Sequence, residues 1–193
     1  AMLKRGLETI ERNVETQVQL IEDLLDISRM ARGTLRLNFM PVNLVALVEE
    51  TLLNLQPSIT ANQLDLVYYP GSEEIRVSGD LHRLQQVFAN LLTNAIKFTP
   101  AGGQVEVRFV NCGAQVQIMV IDTGKGIAAD FLPYIFDRFR QGNDAREPQE
   151  GLGLGLAIVR HLVELHKGTI QAASAGPGQG ATFTVTLPTV SSL

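Results

Sequence analysis

The sequence is poor in the residues that build disulfides and many metal sites, with one cysteine, 3 histidines and no tryptophan among 193 residues. A single cysteine cannot form an internal disulfide, and no nearby set of ligands accompanies Cys112. It lies in Asn111-Cys-Gly113 between two strand-like runs, which favours a turn position. We therefore expect a turn residue in a reducing compartment and a cytoplasmic location.

Long apolar runs and clusters of one charge are absent as well. No apolar stretch approaches the roughly 20 residues of a membrane-spanning helix, and the start lacks a signal-peptide core. The 16 basic and 20 acidic residues give a net charge of −4 without a basic cluster, which argues against nucleic acid or an anionic membrane as partner. With 45% apolar residues, we expect a folded, soluble chain of one or two domains. Ala1-Met2 resembles a cloning remnant before an internal fragment, so a membrane anchor in a longer parent stays open.

The first 30 residues carry a narrow apolar stripe with steps of three and four, which predicts a long helix of the coiled-coil or bundle type. The apolar stripe of such a helix needs a partner. The partner is another chain, another part of its own protein, or the domain that follows the helix. Arg32-Gly33-Thr34 ends it, and Leu35–Phe39 is a short strand or a linker. The stripe consists of Leu3, Leu7, Ile10, Val14, Val18, Ile21, Leu24 and Leu25.

The remaining chain alternates irregularly between helical and strand patterns. We predict an α+β fold, a two-layer α/β sandwich whose mixed sheet is covered on one face by helices, behind the long N-terminal helix. Residues 1–37 would form the helix and linker, and residues 38–193 the main domain. The predicted helices are Val42–Leu55 capped by Asn43, Asp80–Phe98, and Leu156–His166 capped by Gly168; the predicted strands are Leu64–Tyr69, Ile75–Val77, Val105–Val110, Val116–Ile121, Thr169–Ala173 and Ala181–Leu187.

The first of four polar motifs lies on the second of these helices. Asn90 and Asn94 are one turn apart, and Lys97 is near the same face. Amide oxygens are hard ligands suited to Mg²⁺, and an ammonium group neutralises phosphate. The alternative is that both asparagines satisfy buried backbone groups.

The second motif, Asp122-Thr-Gly124-Lys-Gly126, follows a strand. A carboxylate at this strand end can accept a hydrogen bond from the adenine amino group, whereas guanine presents a carbonyl there and would be repelled. Glycine allows the backbone to approach a base closely. The motif therefore predicts ATP rather than GTP, with an ordinary Asp-Thr-Gly turn as the alternative.

The third motif is Phe136-Asp-Arg138-Phe139, which we interpret as a hinge that packs its two aromatic rings while an arginine reaches phosphate. The polar segment Gln141–Glu150 follows it. We expect this segment to be a mobile lid over the nucleotide, with an ordinary surface loop as the alternative.

The fourth motif is a glycine run, Gly151-Leu-Gly153-Leu-Gly155, that leads into a helix beginning at Leu156. Free amides and the helix dipole at such a start favour phosphate. The third glycine comes one residue too early for the dinucleotide pattern, and the P-loop pattern is missing. Both of these common nucleotide folds are therefore disfavoured.

With these motifs in this order, the chain closely resembles the catalytic and ATP-binding domain of sensor histidine kinases, where the segments are called the N, G1, F and G2 boxes. The similarity covers roughly Asn38–Pro188. Ile21–Arg29 also resembles the end of the second helix of that family's dimerisation and phosphoacceptor domain. The resemblance implies an α/β sandwich shared with gyrase-type, chaperone and mismatch-repair ATPases.

The resemblance also implies roles for individual residues. Asn90, Lys97 and Arg138 would act in catalysis, with Asn90 and Asn94 as ligands of Mg²⁺ and Asp122 binding adenine. The other implied nucleotide-binding residues are Gly124, Gly126, Ile127, Phe136, Phe139, Gly151, Gly153, Gly155 and Leu156.

One departure from the hydrolases of this superfamily concerns Asn90. Those enzymes are expected to have a glutamate there that activates water, and a neutral amide cannot act as that base. We therefore expect transfer of the phosphoryl group rather than hydrolysis. A gyrase- or chaperone-like ATPase and an inactive nucleotide-binding scaffold are the alternatives.

A second departure concerns the phosphoacceptor, which in the family is a histidine on the first dimerisation helix, typically followed by an acidic residue. His82, His161 and His166 are followed by arginine, leucine and lysine, and none lies in the N-terminal helix. We expect a fragment that binds ATP and Mg²⁺ but does not phosphorylate itself. The expected partners of the full-length protein are a response-regulator receiver domain and a second copy, joined through the N-terminal helix.

Overall fold

The computed structural model describes residues 2–71, 74–140 and 152–190. Within them lie two sheets, four α-helices and a short 3₁₀ turn at Leu132–Tyr134. The helices are α1 (Met2–Ala31), α2 (Leu44–Ala61), α3 (Leu81–Phe98) and α4 (Gly155–Leu165); the strands are β1 (Met40–Asn43), β2 (Asp65–Tyr69), β3 (Arg76–Gly79), β4 (Gln104–Asn111), β5 (Gln115–Asp122), β6 (Thr169–Ala173) and β7 (Ala181–Pro188).

The main sheet has five strands in the order β2-β4-β5-β7-β6. Only the β2–β4 pair is parallel, and the other neighbours are antiparallel. The predicted β4–β5 hairpin is confirmed, because Val110 pairs with Gln117 beside the Cys112 turn. The α+β fold class, with a mixed sheet and a long N-terminal helix, is therefore confirmed.

Alternation along the strands explains why the helices cover one face of the sheet. Along β4, Val105, Val107 and Phe109 are buried, while Arg108, which lies between the last two, is exposed. The apolar side of α3 is buried as well, including Leu84 and Phe88 at 0% exposure. Apolar burial of this extent is the main stabilising contribution to the fold.

One strand was missed, and several predicted boundaries were wrong. Strand β1 was missed because its four residues, of which only Val42 is buried, give too short a pattern. Helix α2 begins at Leu44 rather than Val42, after its cap Asn43, and continues past Leu55 and Pro57 to Ala61, because its last turns bury Ile59. The left-handed residue after α4 is Lys167, with φ 60°, rather than Gly168. Residues 35–39 form a linker without a strand.

The N-terminal helix packs in part on its own domain, which is one of the arrangements considered for it. Its last turns pack on the main domain, where Met30 is buried and Asp26 contacts Arg83 of α3. Farther from this contact, Val18 and Ile21 are 50% and 58% exposed. In the described part of the chain, no helix is long and apolar enough to cross a membrane.

Candidate nucleotide site

Helix α3 positions the first motif. Asp80 caps its first turn by accepting a hydrogen bond from the backbone N–H of Arg83, at 3.2 Å. Asn90 lies in the middle of the helix, and its buried Nδ2 has no hydrogen-bond partner within the described residues. A buried donor without a partner is costly. The alternative was that Asn90 satisfies a buried backbone group, and this donor does not support it. An oxygen atom of a ligand would supply the missing partner.

The Asn90 side chain faces the start of α4. A Cβ atom added to Gly155 would lie 3.4 Å from Oδ1 of Asn90. Within the described residues, no side chain caps this end of α4, since Leu154 precedes it, so none of them satisfies the first amides of the helix. The structure thus brings the first and fourth motifs together around a site that suits phosphate.

Asn94 and Lys97 continue the same helix. Asn94 is half-buried, and Lys97 is exposed with its Nζ 5.6 Å from the centre of the Phe98 ring. Phe98 was not among the predicted site residues. Its backbone oxygen accepts a hydrogen bond from the Lys125 N–H at 3.0 Å, so the end of α3 holds the Asp122–Gly126 turn.

Asp122 is buried at the end of β5, at 8% exposure. In the described part of the chain, both hydrogen bonds to its carboxylate end on Oδ1, from Gly124 N–H at 2.9 Å and Ala181 N–H at 3.2 Å. Burial raises the pKa of Asp122, and these two hydrogen bonds partly oppose that shift. Oδ2 is left to accept a hydrogen bond from a ligand amino group.

A loop between β6 and β7 supports this turn, and the sequence analysis missed it. Gly180 donates a backbone hydrogen bond to Gly124 O at 3.1 Å, and Ser174 Oγ donates to Gly180 O at 2.6 Å. The same Oγ accepts a hydrogen bond from the N–H of Ile127 at 3.0 Å. The glycines at 176, 178 and 180 were the signal that could have found this loop.

Close packing explains the glycines of the turn. Gly126 has φ +68°, and a Cβ atom there would lie 2.1 Å from Gly176 O. A Cβ atom at Gly124 would lie 2.3 Å from Phe98 O. Both contacts are with backbone, which cannot move aside as a flexible side chain does, so these positions require glycine.

The third motif is only partly as predicted. Phe136 packs edge-to-face on Phe183, with ring centres 6.4 Å apart. Phe139 was predicted to pack too, which is wrong: it is 62% exposed, because its φ of 60° directs the chain toward Gly153. The N–H of Phe139 donates to Gly153 O at 3.0 Å, which joins the third motif to the glycine run.

The remaining predicted residues are placed as follows. Arg138 is exposed and borders a small hollow of about 220 Å³ on the outer side of α4, beside Arg160 and His161. Ile127 is buried, and Leu156 is half-buried against the core. Gly151 and the predicted lid, Gln141–Glu150, lie outside the described residues.

No cluster of three or more His, Cys, Asp or Glu residues that could hold a metal occurs in the described ranges. Mg²⁺ commonly takes few protein ligands and is bound largely by phosphate oxygens and water. The half-buried amides of Asn90 and Asn94, one turn apart, fit that requirement.

The fold and the site together define an ATP-binding domain, and comparison with known proteins identifies its family. A family model described as histidine kinase-, DNA gyrase B-, and HSP90-like ATPase matches residues 79–191. Sensor protein kinase PmrB of Pseudomonas aeruginosa is 37% identical over 95% of this chain and 38% of its own length. The structure of full-length ShkA in complex with AMPPNP superposes with a TM-score of 0.81 at 29% identity, over 97% of this chain and 39% of that one.

The chain therefore belongs to the histidine kinase-, gyrase B- and HSP90-like ATPases, and its relatives place it with the ATP-binding catalytic domains of sensor histidine kinases. Hybrid signal transduction histidine kinase D of Dictyostelium discoideum is a further relative, 34% identical over 97% of this chain and 14% of its own length. The chain thus spans less than half of the length of these relatives.

Proposed function

We propose that this chain loads ATP and Mg²⁺ for a sensor histidine kinase and transfers the γ-phosphoryl group to a histidine outside its own 193 residues. The observation that carries this proposal is the position of Asn90, whose amide faces Gly155 at the start of α4. Phosphates bound there would lie next to a neutral amide rather than a carboxylate, so no base is available at this position to activate water. Transfer to another nucleophile is then favoured over hydrolysis.

The length of α3 supports an assignment of the two ends of the nucleotide. Asn90 and Phe98 are eight residues apart, which is roughly 12 Å along a helix. The phosphates would bind at Asn90, Asn94 and Lys97, with Mg²⁺ held by the two amide oxygens. The adenine would bind at the Asp122 turn, next to Phe98. The proposal also includes a role for Arg138. It further includes nucleotide contacts by the two glycine motifs and by Ile127, Phe136, Phe139 and Leu156.

We infer that none of the three histidines of the chain accepts the phosphoryl group. His166 is 3% exposed and has hydrogen bonds at both ring nitrogens. His82 is eight residues before Asn90 on the same rigid helix, roughly 12 Å away, whereas reacting atoms must come within about 3.5 Å. His161 lines the same hollow as Arg138, but it is followed by Leu162 rather than by the acidic residue expected after an acceptor histidine. We therefore expect no autophosphorylation by this chain alone.

The proposal extends to the arrangement of the whole protein. Residues 1–37 would belong to the dimerisation segment and residues 38–193 to the catalytic domain, and two copies would associate through the apolar stripe of α1. The phosphoryl group would pass on to an aspartate of a response-regulator receiver domain in the cytoplasm. These assignments rest on membership of the kinase family.

The test uses the purified chain, γ-labelled ATP with Mg²⁺, and the acceptor-bearing dimerisation segment from the same gene as a separate polypeptide. We expect ATP binding, slow hydrolysis, no label on the chain itself, and acid-labile label on the acceptor histidine. ATP binding without transfer would instead favour an inactive scaffold. Rapid steady hydrolysis would favour an ATPase of the gyrase or chaperone type.

A further inference from the structure

Two lysines from different elements contact the same aromatic ring at the edge of the proposed nucleotide site. Lys125, in the turn after β5, has its Nζ 4.2 Å from the centre of the Phe98 ring. Lys97, from the last turn of α3, has its Nζ 5.6 Å from the same centre. The ring itself is 38% exposed. The sequence analysis assigned a role to Lys97 and none to Lys125.

The backbone of Lys125 is fixed on both sides. Its N–H donates to Phe98 O at 3.0 Å, and its own carbonyl accepts a hydrogen bond from the N–H of Gly178 at 2.6 Å. The side chain is exposed. The turn therefore presents an ammonium group at a defined place between Asp122 and the end of α3.

The two ammonium groups are close enough to act on one ligand. They are at most about 10 Å apart, the sum of their distances to the shared ring centre, which is close to one Debye length at physiological ionic strength. Phosphates bound at Lys97 therefore also interact with the charge of Lys125, most strongly at low ionic strength.

We propose that Lys125 is a further cationic residue of the nucleotide site, which raises the affinity for the anionic phosphates of adenine nucleotides by its charge. The inference rests on the proposed nucleotide site and adds to it a residue that determines affinity. Adenosine carries no charge, so the charge of Lys125 should not contribute to its binding. The contribution should increase with the negative charge of the ligand and be largest for ATP. It is also weakened by salt.

The test compares wild type with Lys125→Met by titration calorimetry, using adenosine, ADP and ATP with Mg²⁺ at low and high salt. Methionine keeps an unbranched side chain against the ring and removes the charge. We expect ATP affinity to fall about three- to tenfold at low salt, with a smaller loss at high salt and an adenosine affinity within twofold of wild type. Lys125→Arg should restore ATP affinity.

Lys167→Met is the matched control. Lys167 is exposed beyond the far end of the 11-residue helix α4, roughly 16 Å from the start of that helix, so its removal should leave ATP affinity unchanged. Equal weakening of adenosine and ATP by Lys125→Met would show that Lys125 only positions the ring and would overturn the inference. Unchanged ATP affinity would overturn it too, while leaving the proposed nucleotide site intact. Failure of the wild-type chain to bind ATP would overturn both.

Discussion

The backbone N–H of Asp80 donates a hydrogen bond to Nε2 of His166, with 3.0 Å between the two nitrogens. The other ring nitrogen, Nδ1, lies 2.7 Å from Leu162 O and therefore carries the proton. Asp80 in turn accepts a hydrogen bond from the N–H of Asn38 in the linker at 2.9 Å. A neutral histidine thus joins the end of α4 to the start of α3, where the linker also attaches.

This arrangement predicts that acidification destabilises the fold. Burial lowers the pKa of His166, although the hydrogen bond to Leu162 and the charge of Asp80 oppose the shift. In the unfolded chain, His166 takes up a proton near pH 6.5. In the folded chain, it takes up this proton only at lower pH. Stability is therefore fully present above that pH and is lost as the pH falls below it.

Urea unfolding at pH 7.5 and pH 5.8 measures this effect, and we expect a lower free energy of unfolding at pH 5.8. His82→Gln, at an exposed position, should keep the same pH dependence, whereas His166→Gln should reduce it. An identical pH dependence in wild type and His166→Gln would show that His166 is not the group responsible.

The geometry of Asp122 predicts a change of base preference in Asp122→Asn. The amide oxygen can replace Oδ1 as acceptor for Gly124 and Ala181, which leaves the NH₂ group where Oδ2 was. That group would meet the amino group of adenine but could donate to the carbonyl of guanine. We expect ATP affinity to fall about ten- to hundredfold and the ratio of GTP to ATP affinity to rise. Normal ATP affinity in this variant, measured by calorimetry, would refute the adenine assignment.

Two glycines with similar backbone angles give a matched test of the turn. Gly126 and Gly113 have φ of +68° and +77°, but only at Gly126 would a Cβ atom meet other atoms, the nearest being Gly176 O at 2.1 Å. Gly113→Ala should cost about 1 kcal/mol of strain without changing ATP affinity. Gly126→Ala should move the turn and weaken ATP binding at least tenfold, a loss of roughly 1.4 kcal/mol. Equal ATP affinities of the two variants would contradict the role of this contact.

Periodicity was sufficient to predict most of the fold. Helix α3 was predicted to within one residue because Asp80 caps it and Pro100 follows its end. Helix α2 was predicted too short, since a proline usually ends a helix and the burial of Ile59 beyond it depends on tertiary packing. Strand β1 pairs only with β3 and has no periodic pattern of its own.

The candidate site was predictable where one segment carries the chemistry. Asn90, Asn94 and Lys97 share a helix, so their spacing alone placed them together. The glycines could have indicated the loop at 176–180, but not that Ser174 and Gly180 support the Asp122 turn, because these contacts join segments about 50 residues apart. The exposure of Phe139 follows from a left-handed backbone conformation, which side-chain periodicity does not reveal.

The contact between α1 and the main domain predicts how firmly the N-terminal helix is held. Oδ2 of Asp26 accepts hydrogen bonds from Arg83 Nη1 at 2.6 Å and Gln86 Nε2 at 2.9 Å. Asp26 is 4% exposed, so these partners replace the water that would otherwise hydrogen-bond its carboxylate. Arg83→Met should lower the free energy of unfolding by about 1–3 kcal/mol, because it leaves a buried carboxylate with one neutral donor.

Arg160→Met provides the control, since the Arg160–Glu164 pair is about half exposed on both sides, at 55% and 53%. Removing such a pair should change stability by less than about 0.5 kcal/mol. Adding Asp26→Leu to Arg83→Met should recover part of the loss, because no charge is then left buried. Hydrogen exchange should show loss of protection in the last turns of α1 for Arg83→Met alone. Unchanged exchange there would mean that other contacts, such as the buried Met30, hold the helix on the domain.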